Sequence, residues 1–257
     1  MQKMVLKEVL TVLDAIAPFE AAEDWDATGI MVGDPRQEIR VIMVALEPDS
    51  VSIEQARRAG ADLLITHHPL VFHSLRRIDL SESVPGRIER LIKEGISLVS
   101  MHTNLDTASG GVADELAKRL VLKEVKGVGA LRMGTLSAPQ PLRSWITTLP
   151  FPTMRIVDAG TEVRVVGLCP GSGMDAWRQA FDLGCDTFVT GDVGYHDAID
   201  ARERGMNVVD PGHFSTEEII VEPFAARLRE ELHGIEILTH TGGDVFQFMT
   251  QLKEMKD

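Results

Sequence analysis

Apolar and polar positions alternate along the chain in two periods. Val5, Leu6, Val9, Leu10, Leu13 and Ile16 recur at helical spacing and Pro18 stops the run, which predicts an amphipathic helix with one buried face. Val41-Ile42-Met43-Val44-Ala45-Leu46 is unbroken and rich in β-favouring residues, as expected of a strand covered on both faces. A helix is predicted from about Ser50 to Ala59, ended by Gly60, then a buried strand Leu63 to Thr66. A helix Arg87 to Glu94, closed by Gly95, leads to a strand Ile96 to Met101. Strands alternating with helices imply an α/β fold, with mostly parallel or mixed sheets and helices on both faces.

The pattern occurs twice. Gly60-Ala61-Asp62-Leu63-Leu64-Ile65-Thr66 matches Gly184-Cys185-Asp186-Thr187-Phe188-Val189-Thr190, and Gly95-Ile96-Ser97-Leu98-Val99 matches Gly205-Met206-Asn207-Val208-Val209. Upstream, Val44 to Pro48 answers to Val166 to Pro170. Three matches in one order indicate a duplicated α/β unit, with repeats at 1–128 and 129–257 and a glycine-punctuated boundary near Lys126 to Met133; the last segment could pack back on the first repeat. Thr66 to His102 spans 36 positions and Thr190 to His213 spans 23, so the first copy carries 13 extra residues, placed between Pro69 and Pro85.

In parallel α/β sheets ligands gather beyond the carboxyl ends of the strands. The residues there are His67-His68-Pro69, His102-Thr103-Asn104-Leu105-Asp106 and Gly212-His213-Phe214-Ser215-Thr216-Glu217. Imidazole and carboxylate are ligands of divalent metals, and two ions sharing a bridging carboxylate suit the diverging side chains of adjacent His67 and His68. His213 and Glu217 share one helix face. Ser215 and Glu218 read as a capping box, which makes Glu218 structural. Gly171-Ser172-Gly173-Met174-Asp175-Ala176 fits a dinucleotide fingerprint, but Pro170 crowds the turn and the next strand ends without a clear ribose-binding acid, so glycines that only join strand and helix are the preferred reading; its amides could still hold a phosphate. Glu23-Asp24-Trp25-Asp26 is either a solvated turn, with Trp25 packed on the first helix, or a segment near the site. Tyr195 and His196 are candidates for contacting a substrate, and Asp192 for capping a helix.

Composition narrows the class. The chain has 257 residues, with 26 Lys and Arg against 39 Asp and Glu, a formal net charge of −13. Such a balance argues against binding nucleic acid or anionic membranes. Cys169 and Cys185 are too few for a disulfide framework or a thiolate zinc site. With no basic-then-apolar leader and no apolar run of about 18 residues, a cytoplasmic location is expected.

Taken together, the Glu23–Asp26 run, Thr66-His67-His68-Pro69, the His102–Asp106 segment, Thr190-Gly191-Asp192 with Tyr195-His196-Asp197, and the Gly212–Glu217 segment resemble the Nif-three-like family, whose members are often called GTP cyclohydrolase I type 2 homologues. The resemblance runs from about Pro18 to Glu222 and leaves Thr239 to Asp257 unmatched. It implies a homohexameric, ring-shaped toroid with a dinuclear metal centre held by His67, His68, Asp106, His213 and Glu217, Glu217 bridging. His102 falls outside that set, and it or a free carboxylate near the site is expected to be the catalytic proton carrier. Family members usually carry Asn where this chain has Ala27, and the chain matches the short form without an inserted domain. The expected function is a metal-dependent hydrolase using two divalent ions (Zn, Fe, Mn, Co or Ni) on a small-molecule substrate, a purine nucleotide opened with loss of formate. The alternative is a non-catalytic metal-binding or regulatory assembly.

Overall fold

The computed structural model describes residues 4–248. The first helix, Leu6–Ile16, buries Leu6, Val9, Leu13 and Ile16, the stripe set by the helical period. Burying each of these side chains contributes about 1.5–3 kcal/mol. Two residues ahead of it, Met4–Val5, pair antiparallel with Glu38–Ile39, a small ladder the apolar pattern does not announce.

Two larger sheets carry the two copies of the repeat. In the five-stranded sheet, Val41–Ala45, Leu63–Thr66 and Ser97–Ser100 run parallel. In the six-stranded sheet, Glu162–Leu168, Thr187–Val189 and Asn207–Asp210 do the same. All of Leu63–Thr66, Ser97–Ser100 and Asn207–Asp210 are buried, the polar residues at their ends included. Antiparallel strands flank the parallel ones: Gly29–Val32 at an edge of the first sheet, and on the second Arg155–Val157 at one edge and Leu131–Pro141 beside Glu162–Leu168. Lys123–Val128 and Leu131–Pro141 form one hairpin, so residues on both sides of 128 belong to the six-stranded sheet. Conversely, the late strand Glu236–His240 lies parallel to Val41–Ala45 in the five-stranded sheet. The fold is thus α/β with mixed sheets, and the chain's end closes the first sheet.

The helix following the extra loop starts earlier than the apolar period implies, at Ser83 and not Arg87, because Pro85 fits the first turn, where its missing N–H costs nothing. Helix Val112–Arg119 joins the halves. Its Val112 belongs to the core of the first sheet, together with Leu13, Ile42 and Phe224. Its Ala113 and Leu116 belong to that of the second, with Trp145, Val166 and Val209. Among the described residues, no helix is long and apolar enough to cross a membrane.

Candidate metal centre

The carboxyl ends of the two sets of parallel strands meet. His67 and His68 leave strand Leu63–Thr66; His102 and Asp106 follow Ser97–Ser100, Asp106 within helix Thr103–Thr107. From the other sheet, strand Asn207–Asp210 delivers helix His213–Glu217. That helix begins at Gly212, whose φ of +92° is open to glycine, so Ser215 lies inside the helix and is not its cap. The expected capping box is absent, and the four-residue spacing still puts His213 and Glu217 on one face.

Every histidine here is held from behind. The Nδ1–H groups donate to the Met101 carbonyl from His67 (2.9 Å), to Glu47 from His68 (2.6 Å), to Asp26 from His102 (2.8 Å) and to Asp192 from His213 (2.7 Å). Carbonyl and carboxylate oxygens only accept, so the Nδ1 position is fixed as the donor and Nε2 remains for a ligand. The Nε2 atoms of His68 and His213 lie 3.3 Å apart. Glu217 Oε2 is 2.9 Å from the first and 3.0 Å from the second, yet it makes no hydrogen bond. His67 Nε2 stands 3.6 Å from Asp106 Oδ1 and 3.8 Å from Glu217 Oε1. His67 Nε2, Asp106 Oδ1 and Glu217 Oε2 are all buried without a hydrogen-bonding partner, which is costly unless something else satisfies them.

Three overlapping groups offer ligand atoms within 4.8 Å of one another: His67 with Asp106 and Glu217, His68 with His213 and Glu217, and His67 with His68 and His102. The expected five residues are therefore brought together, and His102 joins them as a sixth potential donor. Tyr195 is exposed at the start of helix Tyr195–Glu203, and neither it nor His196 lines the adjoining cavity.

The charged groups of the cluster shift one another's titration. Burial would lower the pKa of His68, but Glu217 and Glu47 outweigh it and raise it to about 10. His213, likewise opposed by burial, is raised to about 9 by Glu217 and Asp192. Burial, reinforced by the Glu217 charge, pushes Asp106 up to about 6 against the pull of His67. Burial opposes ionisation of Glu217 too, and the surrounding imidazoles hold its carboxyl well below the usual range. Protons on imidazole supply the positive charge that the two carboxylates need.

Several residues with a part in this arrangement had no clear signal of their own. Asp192 adopts a left-handed φ of +52°, rare for a residue with a Cβ, and from there reaches His213. Asp26 accepts from His102 and from the backbone and hydroxyl of Thr103; its pKa falls to about 2 because these hydrogen bonds overcome its burial. The Glu23–Asp26 turn thus docks at the site, and Trp25 packs against Phe72 and His102, not the first helix. Ala27, in place of the usual Asn, donates its backbone N–H to Asp26 at 2.7 Å.

Gly171 has a tertiary role that its motif concealed. A Cβ there would lie 2.0 Å from Glu217 Oε1 and 3.2 Å from His213 Nε2. Its N–H donates to Thr216 Oγ1, and that of Gly173 to Thr190 Oγ1. The segment after Gly173 is a single 3-10 turn, Met174–Ala176, leading into the short helix Trp177–Asp182. A dinucleotide cradle is not formed, since the amides of both glycines are already engaged.

The fold and site define a two-sheet α/β protein with a composite His/Asp/Glu cluster suited to metal ions. Residues 4–242 match the Duf34/NIF3 (NGG1p interacting factor 3) family model, and the chain belongs to that family. It is 34% identical to a Streptomyces coelicolor protein named GTP cyclohydrolase 1 type 2 homolog, over 93% of this chain and 92% of that one. A Clostridium perfringens protein of the same name is 31% identical over 96% and 100%. Among solved structures, Staphylococcus aureus hypothetical protein SA1388 superposes with a TM-score of 0.89 at 26% identity, over 96% of this chain and 100% of that one.

Proposed function

We propose that the protein is a metal-dependent hydrolase with a dinuclear centre, liganded by His67, His68, Asp106, His213 and Glu217, with Glu217 between the two ions. The observation that carries this reading is the convergence of imidazoles, each fixed through Nδ1, on two buried carboxylates with unpartnered oxygens. A nitrogen and oxygen donor set without thiolate suits Zn, Fe, Mn, Co or Ni. When bound, such ions supply a nucleophilic water near neutral pH and polarise the bond under attack.

The chain's own groups do the rest. Met101, Glu47 and Asp192 fix the rings of His67, His68 and His213. Asp26 holds His102 with its Nε2 free to take or give a proton. The names of the relatives favour a purine nucleotide opened with release of formate. The same reading includes a hexamer of the 28.2 kDa chain in the cytoplasm, and two repeats, 1–128 and 129–257, that meet in the hairpin turn.

The test is metal content together with formate release from GTP by the metal-loaded protein. Turnover that persists in a His67→Ala, His68→Ala double variant devoid of metal would refute the mechanism. Metal binding with no turnover of any nucleotide, phosphoester or amide would favour the regulatory assembly. One observation supports a second role for His102: its place within 4.8 Å of ligand atoms on His67 and His68 makes it a sixth donor. His102→Ala separates the two, because losing a ligand lowers metal content, whereas losing a proton carrier lowers turnover at full metal content.

A further inference from the structure

A cavity of about 800 Å³ opens on His68 and His213. Its lining includes five carboxylates: Glu47 and Asp192 behind those imidazoles, with Asp49, Asp210 and Asp244. The lining also includes three phenylalanines, Phe214, Phe246 and Phe248; Phe246 is 71% exposed and Phe248 60%. Among the described lining residues Arg155 is the one Lys or Arg, and it is already committed. It pairs with Asp210 and donates to the Val193 carbonyl at 3.2 Å.

Loading the centre does not reverse this balance. Two divalent ions bring four positive charges, while Asp26, Glu47, Asp106, Asp192 and Glu217, which ligate or hold the imidazoles, bring five negative ones. The glycine turn offers phosphate nothing either, since the Gly171 and Gly173 amides donate to Thr216 and Thr190. Among the described lining residues, a phosphate chain would therefore find no Lys or Arg without a carboxylate partner. Exposed aromatic faces, by contrast, provide stacking surface for a planar ring.

We propose that this cavity recognises its ligand through an uncharged planar heterocycle laid against Phe214, Phe246 and Phe248, and that phosphates on that ligand remain in solvent and weaken binding. The proposal rests on the metal centre above and specifies the substrate class for it. The test is equilibrium dialysis of guanosine, GMP and GTP against the metal-loaded protein, with excess Mg²⁺ so that triphosphate does not strip the centre.

Guanosine should bind tightest and GTP roughly tenfold weaker at about 20 mM salt, the gap shrinking at about 500 mM as screening sets in. Phe246→Ala, a change at an exposed position, should weaken guanosine about tenfold and leave metal content unchanged. GTP binding more tightly than guanosine, as direct phosphate ligation of the ions would produce, overturns the proposal. So does an unchanged guanosine affinity in Phe246→Ala, or no binding of any purine. The expected order of binding without formate release supports ring recognition and removes the hydrolase.

Discussion

Gly171→Ala tests the composite site at one atom. The added Cβ would sit 2.0 Å from Glu217 Oε1, where ordinary contact begins at about 3.4 Å, so one group must retreat by more than about 1 Å. Glu217 cannot retreat cheaply. It is only 4% exposed and is flanked by His67, His68 and His213. The backbone adds a penalty, since Gly171 has φ +59°, a left-handed conformation that costs a residue with a Cβ about 1–2 kcal/mol. Relief of the clash by displacing the carboxylate should lower metal affinity by about 10- to 100-fold, the usual effect of disturbing a ligand's support. Relief by displacing the turn should lower stability by about 1–3 kcal/mol in all. The assays are metal titration by calorimetry and urea unfolding of the metal-free protein. An alanine variant with wild-type stability and metal affinity within about threefold of wild type would show that the close approach has no consequence, and the reasoning would fail.

Other expectations follow from how the imidazoles are held. Asp192→Asn and Glu47→Gln each keep a side chain of similar size but remove a charge behind His213 or His68; each should cost about tenfold in metal affinity, read by competition with a chelator, and equal affinities would count against orientation by these carboxylates. Metal uptake should release protons, because His68 and His213, with pKa values raised to about 10 and 9, are protonated at neutral pH and a ligand must be deprotonated. Calorimetry near pH 7.5 in buffers of different ionisation enthalpy measures this release, and a value of zero contradicts it. The same shifts set the stability of the metal-free protein: raised folded values mean that their contribution is fully present below about pH 6.5 and is lost as pH rises through 9 to 10. Urea midpoints across that range should fall for the metal-free form and change less for the loaded one.

Some of this arrangement was legible in the sequence because it is periodic or local. The three matched segments became the parallel cores of two sheets, since buried strands leave long apolar runs. Two histidines after Thr66, and a histidine with a glutamate four residues on, predicted groups at strand ends and on one helix face. The strands flanking the parallel cores were not legible. Leu131–Pro141 contains two prolines and is only partly buried, so neither its length nor its period marks it. Glu236–His240 belongs to the opposite sheet from the residues before it, a choice decided by tertiary pairing. Among the site residues, Glu47, Asp192 and Gly171 act on side chains between 21 and 46 positions away. Short motifs have no means of expressing such distances.

The duplication also explains why the cluster is built across the two sheets. Each copy alone contributes an unbalanced set: His67, His68, His102 and Asp106 come from one, His213 and Glu217 from the other. Glu217 is the residue common to the His67 and His68 groups, so the second copy supplies the atom pair on which both groups depend. The last strand, Glu236–His240, then fastens the second copy's end to the first copy's sheet, beside Val41–Ala45, whose chain continues to Glu47 and its bond to His68. The two groups that include Glu217 are complete only when the halves are docked. Metal binding should therefore stabilise the packing between the sheets as well as the loops at their ends, and weakening that packing at a distance, with Leu116→Ala in the joining helix, should lower metal affinity without touching a ligand. A Leu116→Ala protein that loses about 2–5 kcal/mol of stability but binds metal as the parent does would show instead that the centre is organised within one copy.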